Sequence, residues 1–301
     1  MTVLGLISNR HSHGNGGQPL LAAYAEAQPD LVFAAPGNPA RFPEALADFA
    51  RRGVNVVAVD GGDGTVRNVL TALPADYQPP LALLPSGKTN VVARDVGSFG
   101  GGIAGLKRLL VSARDNWRVA RQTERPTLEI SWRGQPDLRL RGMLFGTAIF
   151  TEATRIGCAS PLTERQAVAA TLARILWDSL RGRGVAQPMR VSAGDPCPFA
   201  DPLHFLVLAT TLEKLMLGLW PFPDRGEGPI NWLDIPAPPR RLIRTLWQAW
   251  RGHMDPHVKG GRTHELSLSL NAPFVVDGDL FDPGPAGIVL RPGPTIRFIG
   301  A

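Results

Sequence analysis

The chain has 301 residues, 44% of them hydrophobic and 19% charged. That balance excludes a disordered polymer, and the length suits about two domains of ordinary size. Basic residues outnumber acidic ones by 32 to 26, a formal net charge of +6; only four are Lys (Lys88, Lys107, Lys214 and Lys259), so 28 are Arg. Such an excess favours anionic partners such as phosphates or acidic lipid surfaces. No zinc-ligand spacing, RNP-like motif or dense basic run with interleaved aromatics is present, and no nucleic-acid partner is expected. Glycine (33) and proline (28) follow no three-residue period, which excludes collagen and favours a loop-rich fold. Cys158 and Cys197 are too few for a disulfide framework and read as small hydrophobes in a reducing cytosol. The N-terminus passes from MTVLGLIS straight into NRHSHGNGG, without a basic n-region or a long apolar run. A cytoplasmic chain with neither signal peptide nor membrane span is therefore expected.

In chain order, residues 3–8, 31–35, 54–59 and 81–84 are short apolar runs bounded by Gly, Pro, Asn or Asp, the pattern of strands buried on both faces. Residues 19–27, 40–52 and 65–73 between them carry helical spacing; Phe42, Leu46 and Phe49 fall at i, i+4 and i+7. This alternation predicts a parallel sheet with helices on its faces, where ligands bind beyond the carboxyl ends of the strands. From about residue 124 the pattern turns to strands, at 127–132, 138–150, 203–209, 265–270, 274–276, 288–290 and 295–299. Helices are expected at 165–180 and 240–250, and a Pro/Gly-rich loop at 220–239. The expected organisation is an α/β domain over residues 1–122 and a β-rich, sandwich-like domain over residues 123–301.

The strongest chemical signal follows the third strand, in Asp60-Gly61-Gly62-Asp63-Gly64-Thr65. Glycines there let the backbone approach a ligand, and the helix that follows offers free N–H groups to phosphate. Asp63 in such a cradle would act through Mg²⁺ or accept a proton from an attacking hydroxyl; the structural alternative is a helix N-cap. After the fourth strand comes Pro85-Ser86-Gly87-Lys88-Thr89-Asn90. It is not a P-loop, because the glycine required five positions before Gly87 is Ala82. Lys88 is a candidate phosphate contact or a solvated loop lysine, and Thr89 and Asn90 are candidate partners of ribose or phosphate. After the first strand, Asn9, Arg10 and Ser12 are candidate phosphate contacts, whereas His11 and His13 read as surface loop histidines.

These three loops, in this order and spacing, resemble the diacylglycerol kinase catalytic domain family, which includes bacterial lipid kinases and sphingosine kinases. The family's Asn-Pro-x-Ser-Gly is matched by Asn9, Arg10 and Ser12, with Arg10 in place of the proline. Its Gly-Gly-Asp-Gly-Thr is intact at residues 61–65, and its Pro-x-Gly-Thr-x-Asn-x-x-Ala-Arg runs from Pro85 to Arg94, with Lys88 in place of the threonine. In the second half, Asp277-Gly278-Asp279 stands where the family has Asp-Gly-Glu, whose acid is taken as the general base. The resemblance puts Asp279 in that role with Asp277 beside it, although Asp-Gly alone is a common hairpin turn. The family's Asn-x-x-Ser-x-Gly has no clear counterpart at 146–151. The stretch that supports a structural Mg²⁺ in bacterial members is reduced to Glu227-Gly228-Pro229-Ile230-Asn231-Trp232-Leu233-Asp234.

The resemblance implies an NAD kinase/diacylglycerol kinase-like fold and an ATP- and Mg²⁺-dependent kinase of phospholipid metabolism. Asn9, Arg10, Ser12, Gly61, Gly62, Asp63, Gly64, Thr65, Gly87, Lys88, Thr89 and Asn90 would hold the nucleotide. Asp63 would hold the metal, and Asp279, with Asp277 or Asp63, would take the hydroxyl proton. The acceptor would be a lipid such as diacylglycerol, met at the inner face of a membrane. The alternatives are a kinase of a soluble acceptor such as NAD, or a nucleotide- or lipid-binding protein that has lost catalysis. Two segments are candidates for meeting lipid or for ordinary packing: 240–251, which places Leu242, Ile243, Leu246, Trp247 and Trp250 on one helix face flanked by arginines, and the apolar run 215–222.

Overall fold

The computed structural model describes residues 2–9, 12, 19–159, 187–193, 203–215, 220–237 and 259–301. The expected helices at 165–180 and 240–250, residues 216–219 of the apolar run 215–222, and Arg10, His11 and His13 lie outside the described residues. Two compact units are present, one formed by Met1–Thr127 with Pro294–Ala301 and the other by Leu128–Gly293. The last eight residues thus rejoin the first unit.

In the first unit the order is β1 (Leu4–Ser8), α1 (Pro19–Glu26), β2 (Leu31–Ala34), α2 (Phe42–Arg51), β3 (Val56–Gly61), α3 (Asp63–Ala72), β4 (Leu81–Pro85), α4 (Val91–Val96) and α5 (Gly102–Arg114). The strands lie side by side as β4-β3-β1-β2, all parallel, and Phe298 and Ile299 of the C-terminal strand add on beside Leu81 and Ala82 of β4. Every residue of β1 and β3 is buried, as their uninterrupted apolar runs predict. On one face Leu4, Leu6 and Val56 pack with Leu21 of α1 and Leu106 and Leu109 of α5. The amphipathic α2 buries Phe42, Leu46 and Phe49. A Cβ on Gly5 would lie 2.6 Å from the Phe49 ring, so a glycine in β1 gives that phenyl its seat. The chain runs outward from β1 to β2 and the opposite way from β3 to β4. The carboxyl ends of β1 and β3 therefore flank the switch point where open α/β sheets bind ligands.

The second unit holds most of β5 (Arg121–Trp132) together with β6 (Gln135–Gly142), β7 (Leu144–Ala148), α6 (Ile149–Ala159), β8 (Gln187–Ser192), β9 (Leu203–Thr210), β10 (Ile230–Pro236), β11 (Lys259–Thr263), β12 (Leu266–Leu270), β13 (Phe274–Val276), β14 (Asp279–Phe281) and the start of β15 (Ile288–Gly300). The strand pairs among its described residues are antiparallel, with β7 between β13 and β9, and β9 continuing to β10 and β11. Trp132, Phe145, Val207, Leu268 and Phe274 are among the side chains of its core.

Three expectations change here. The single strand at 138–150 is broken at Met143 and again at Ala148, whose φ of 57° turns the chain into α6. The stretch 220–239 contains a strand, β10, paired on both sides despite its flanking prolines. The runs at 288–290 and 295–299 join through Arg291-Pro292-Gly293-Pro294 into one extended strand, β15.

Candidate active site

Strand β3 ends at Gly61 and α3 begins at Asp63, so one residue, Gly62, makes the turn. The Thr65 and Val66 amides both donate to Gly62 O, at 2.9 and 3.1 Å. The Asp63 and Gly64 amides, in the first helical turn, have no intrahelical acceptor. A Cβ on Gly61 would run into the Thr65 side chain, and one on Gly87 would sit 2.5 Å from the Cα of Gly62. Two loops from neighbouring strands therefore meet glycine against glycine, at a spacing no other residue allows.

The loop after β1 is latched onto this floor. Asn9 donates from its backbone amide to Asp60 O (2.9 Å) and from Nδ2 to Thr65 Oγ1 (2.9 Å), and Ser8 Oγ donates to Asp60 Oδ2 (2.7 Å). Ser12 Oγ donates to Ser86 O (2.7 Å) and lies 2.8 Å from Ser86 Oγ, while the Ser86 amide donates to Gly61 O (3.0 Å). Asn9, Ser12, Gly61, Gly62, Asp63, Gly64, Thr65, Gly87, Thr89 and Asn90 are thus brought together by the three loops at the carboxyl edge of the sheet. Lys88, at the tip of the loop after β4, is exposed, as is Arg94 on α4. Ser86 and the Ser8–Asp60 pair were not singled out by sequence; the signal available was small polar residues at the ends of otherwise apolar strands.

Asp63 caps a helix, but not its own. Its Oδ2 accepts from Thr89 Oγ1 (2.8 Å) and the Val91 amide (3.0 Å), and its Oδ1 accepts from the Val92 amide (3.0 Å), so the carboxylate holds the N-terminus of α4. Asn90 sits in the left-handed region at φ 48° and closes its side chain on Gly87, donating Nδ2 to Gly87 O (2.7 Å) and accepting from the Gly87 amide (2.9 Å). Thr89 and Asn90 are therefore engaged with protein. Three of the roughly four acceptor positions of the Asp63 carboxylate face N–H or O–H donors. A cation placed on them would meet those donors' protons, so the geometry does not fit Asp63 as a metal ligand. Among the described residues, no group of three or more His, Cys, Asp or Glu side chains is gathered to hold a metal.

In the second unit, Asp277 and Gly278 form the two-residue turn between β13 and β14, both with positive φ (48° and 89°). This is the backbone that Asp-Gly hairpins adopt. The Asp277 carboxylate is buried: its Oδ1 accepts from the Leu144 amide (2.9 Å), and its Oδ2 from the Met143 amide (3.0 Å). That bond pattern places Asp277 at the break between β6 and β7. A Cβ on Gly142 would come within 2.5 Å of Asp277 Oδ2, so the strand before the break needs its glycine. Asp279, the first residue of β14, is exposed. Within the stretch 227–234, Glu227 is exposed and Asp234 is buried, its Oδ1 2.7 Å from His204 Nδ1. Asp234 thus serves an internal pair.

A glycine-lined floor, helix N-termini and latched loops thus meet at the switch point of a parallel sheet, the kind of edge at which open α/β domains bind phosphate. The diacylglycerol kinase catalytic domain model matches residues 4–121, so the resemblance carried by the three loops extends over most of the first unit. Among solved structures, a diacylglycerol kinase from Bacillus anthracis str. Sterne is 18% identical, with a TM-score of 0.60, over 100% of this chain and 97% of its own. A second structure from that organism is 17% identical, with a TM-score of 0.64, over 99% and 97%. At these identities the likeness is one of fold, and it extends over the strand-rich second half. No curated protein matches the sequence significantly.

Proposed function

We propose that the protein is an ATP-dependent kinase that transfers the γ-phosphate to a lipid hydroxyl such as that of diacylglycerol. The observation that carries this reading is the latching of three loops at the carboxyl ends of β1, β3 and β4, with Gly87 against Gly62 as the floor. The phosphates would lie over that floor, on the Asp63 and Gly64 amides, with Lys88 as the adjacent point charge. Asn9, Ser12, Thr65, Thr89 and Asn90 hold the loops in shape and act as positioning residues, and Asp63 does the same for α4. Magnesium would arrive as part of the nucleotide complex and not on Asp63.

Of the three acids, Asp279 is the one left accessible and is assigned as general base. It takes the proton of the lipid hydroxyl as that oxygen attacks the γ-phosphorus. The bond to the β–γ bridging oxygen breaks and ADP leaves. Asp277, bound to two backbone amides, positions the turn that presents Asp279.

The floor is tested by titrating ATP into wild type, Gly87→Ala and Asp279→Ala. Gly87→Ala, whose methyl group would collide with Gly62, should weaken ATP binding by at least about tenfold, while Asp279→Ala should leave it unchanged. Wild-type affinity in Gly87→Ala would remove the nucleotide from this cradle.

A further inference from the structure

Helix α5 buries Leu106, Leu109 and Leu110 against the sheet of its own unit. Its solvent face carries Lys107, Val111 and Arg114 at i, i+4 and i+7, all exposed. At its C-terminal end Asn116 and Trp117 take φ values of 50° and 61°, and the Trp117 ring stands edge-on to Phe99 with centroids 6.3 Å apart. The reversal returns the chain along the helix. Val119 then lines, with Val111 and Phe99, a predominantly apolar groove of about 480 Å³.

Two observations set this face apart. Val111 is 64% and Val119 89% exposed, and these are the two most exposed of the large hydrophobic side chains that stand out among the described residues. An exposed valine on a helix is unfavourable by both propensity and hydration. Between residues 107 and 121 there are five basic residues, Lys107, Arg108, Arg114, Arg118 and Arg121, and one acid, Asp115. Two valines are too small an anchor for a protein hot spot, which wants a large buried side chain in a pocket. They suit the headgroup boundary of a bilayer, where valine enters the interface and arginine stems extend their charges to the phosphates.

We propose that this face of the first unit docks on an anionic lipid bilayer. The choice of a bilayer rests on the lipid-kinase reading, while the location of the surface rests on the exposed valines and the charge around them. The surface supplies a way to hold a catalyst at the interface where its acceptor resides.

The test is co-sedimentation of the full chain with vesicles of phosphatidylcholine alone, or with roughly a quarter phosphatidylglycerol. Wild type should bind the anionic vesicles, release them as salt shortens the screening length, and ignore the neutral ones. Two double variants, Val111→Ser with Val119→Ser and Arg114→Glu with Arg118→Glu, should each lower partitioning by at least about fivefold. All four positions are exposed, so both variants should keep the wild-type melting temperature and wild-type turnover of a short-chain, water-soluble diacylglycerol. Unchanged partitioning in both variants would overturn the docking surface. Failure of wild type to phosphorylate the soluble diacylglycerol would instead count against the lipid-kinase reading, whatever the vesicles show.

Discussion

Three aspartates that look alike in the sequence divide at the scale of single residues. Asp63 accepts from two amides and a threonine hydroxyl, Asp277 accepts from two amides, and Asp279 is exposed on a short strand. Removing a buried carboxylate leaves its donors without acceptors and shut away from water, whereas a group that interacts with an exposed carboxylate can turn to water instead. Asp63→Ala should therefore lower unfolding free energy by about 2–4 kcal/mol, and Asp279→Ala by no more than about 0.5 kcal/mol, both read by urea denaturation. Equal stability losses in the two would contradict the division. The sequence places a carboxylate in a Gly-rich turn after a buried strand. It cannot show that the carboxylate's partners are the amides of Val91 and Val92, because that contact depends on β3 and β4 lying side by side.

At the scale of elements, the first unit is legible because buried parallel strands leave uninterrupted apolar runs and amphipathic helices a period near 3.6. The runs at 31–35 and 81–84 reappear as Leu31–Ala34 and Leu81–Pro85. Strand β10 was hidden by the prolines and glycines around it, and the end of β7 by Ala148, a residue with no turn preference of its own. The β13–β14 hairpin was legible as a turn from Asp277-Gly278, yet its tie to the start of β7 was not, since Met143 is 134 residues away. That tie is a prediction: Asp277→Ala should destabilise the protein by about 2 kcal/mol and speed hydrogen exchange at the Met143 and Leu144 amides. Exchange at wild-type rates there would show that the carboxylate does not hold the break between β6 and β7.

For the whole molecule, the change from alternating helix and strand to a mostly strand pattern foretold an α/β unit followed by a strand-rich one. It did not foretell that residues 294–301 return to the first unit, because a terminal apolar strand carries no mark of the sheet it joins. Among the described residues no helix is long and apolar enough to cross a membrane. The basic, valine-bearing face of α5 is the surface proposed above to meet a bilayer.

The proposed reaction is phosphoryl transfer from ATP to a lipid hydroxyl, with Asp279 as base. It is tested most directly by incubating the protein with γ-labelled ATP and magnesium, in parallel with mixed micelles of diacylglycerol and with NAD, using Asp279→Ala as the control. Label entering the lipid, and falling by about a hundredfold or more in the variant, is the predicted result. Label entering only NAD, or entering the lipid equally in the variant, would contradict the account.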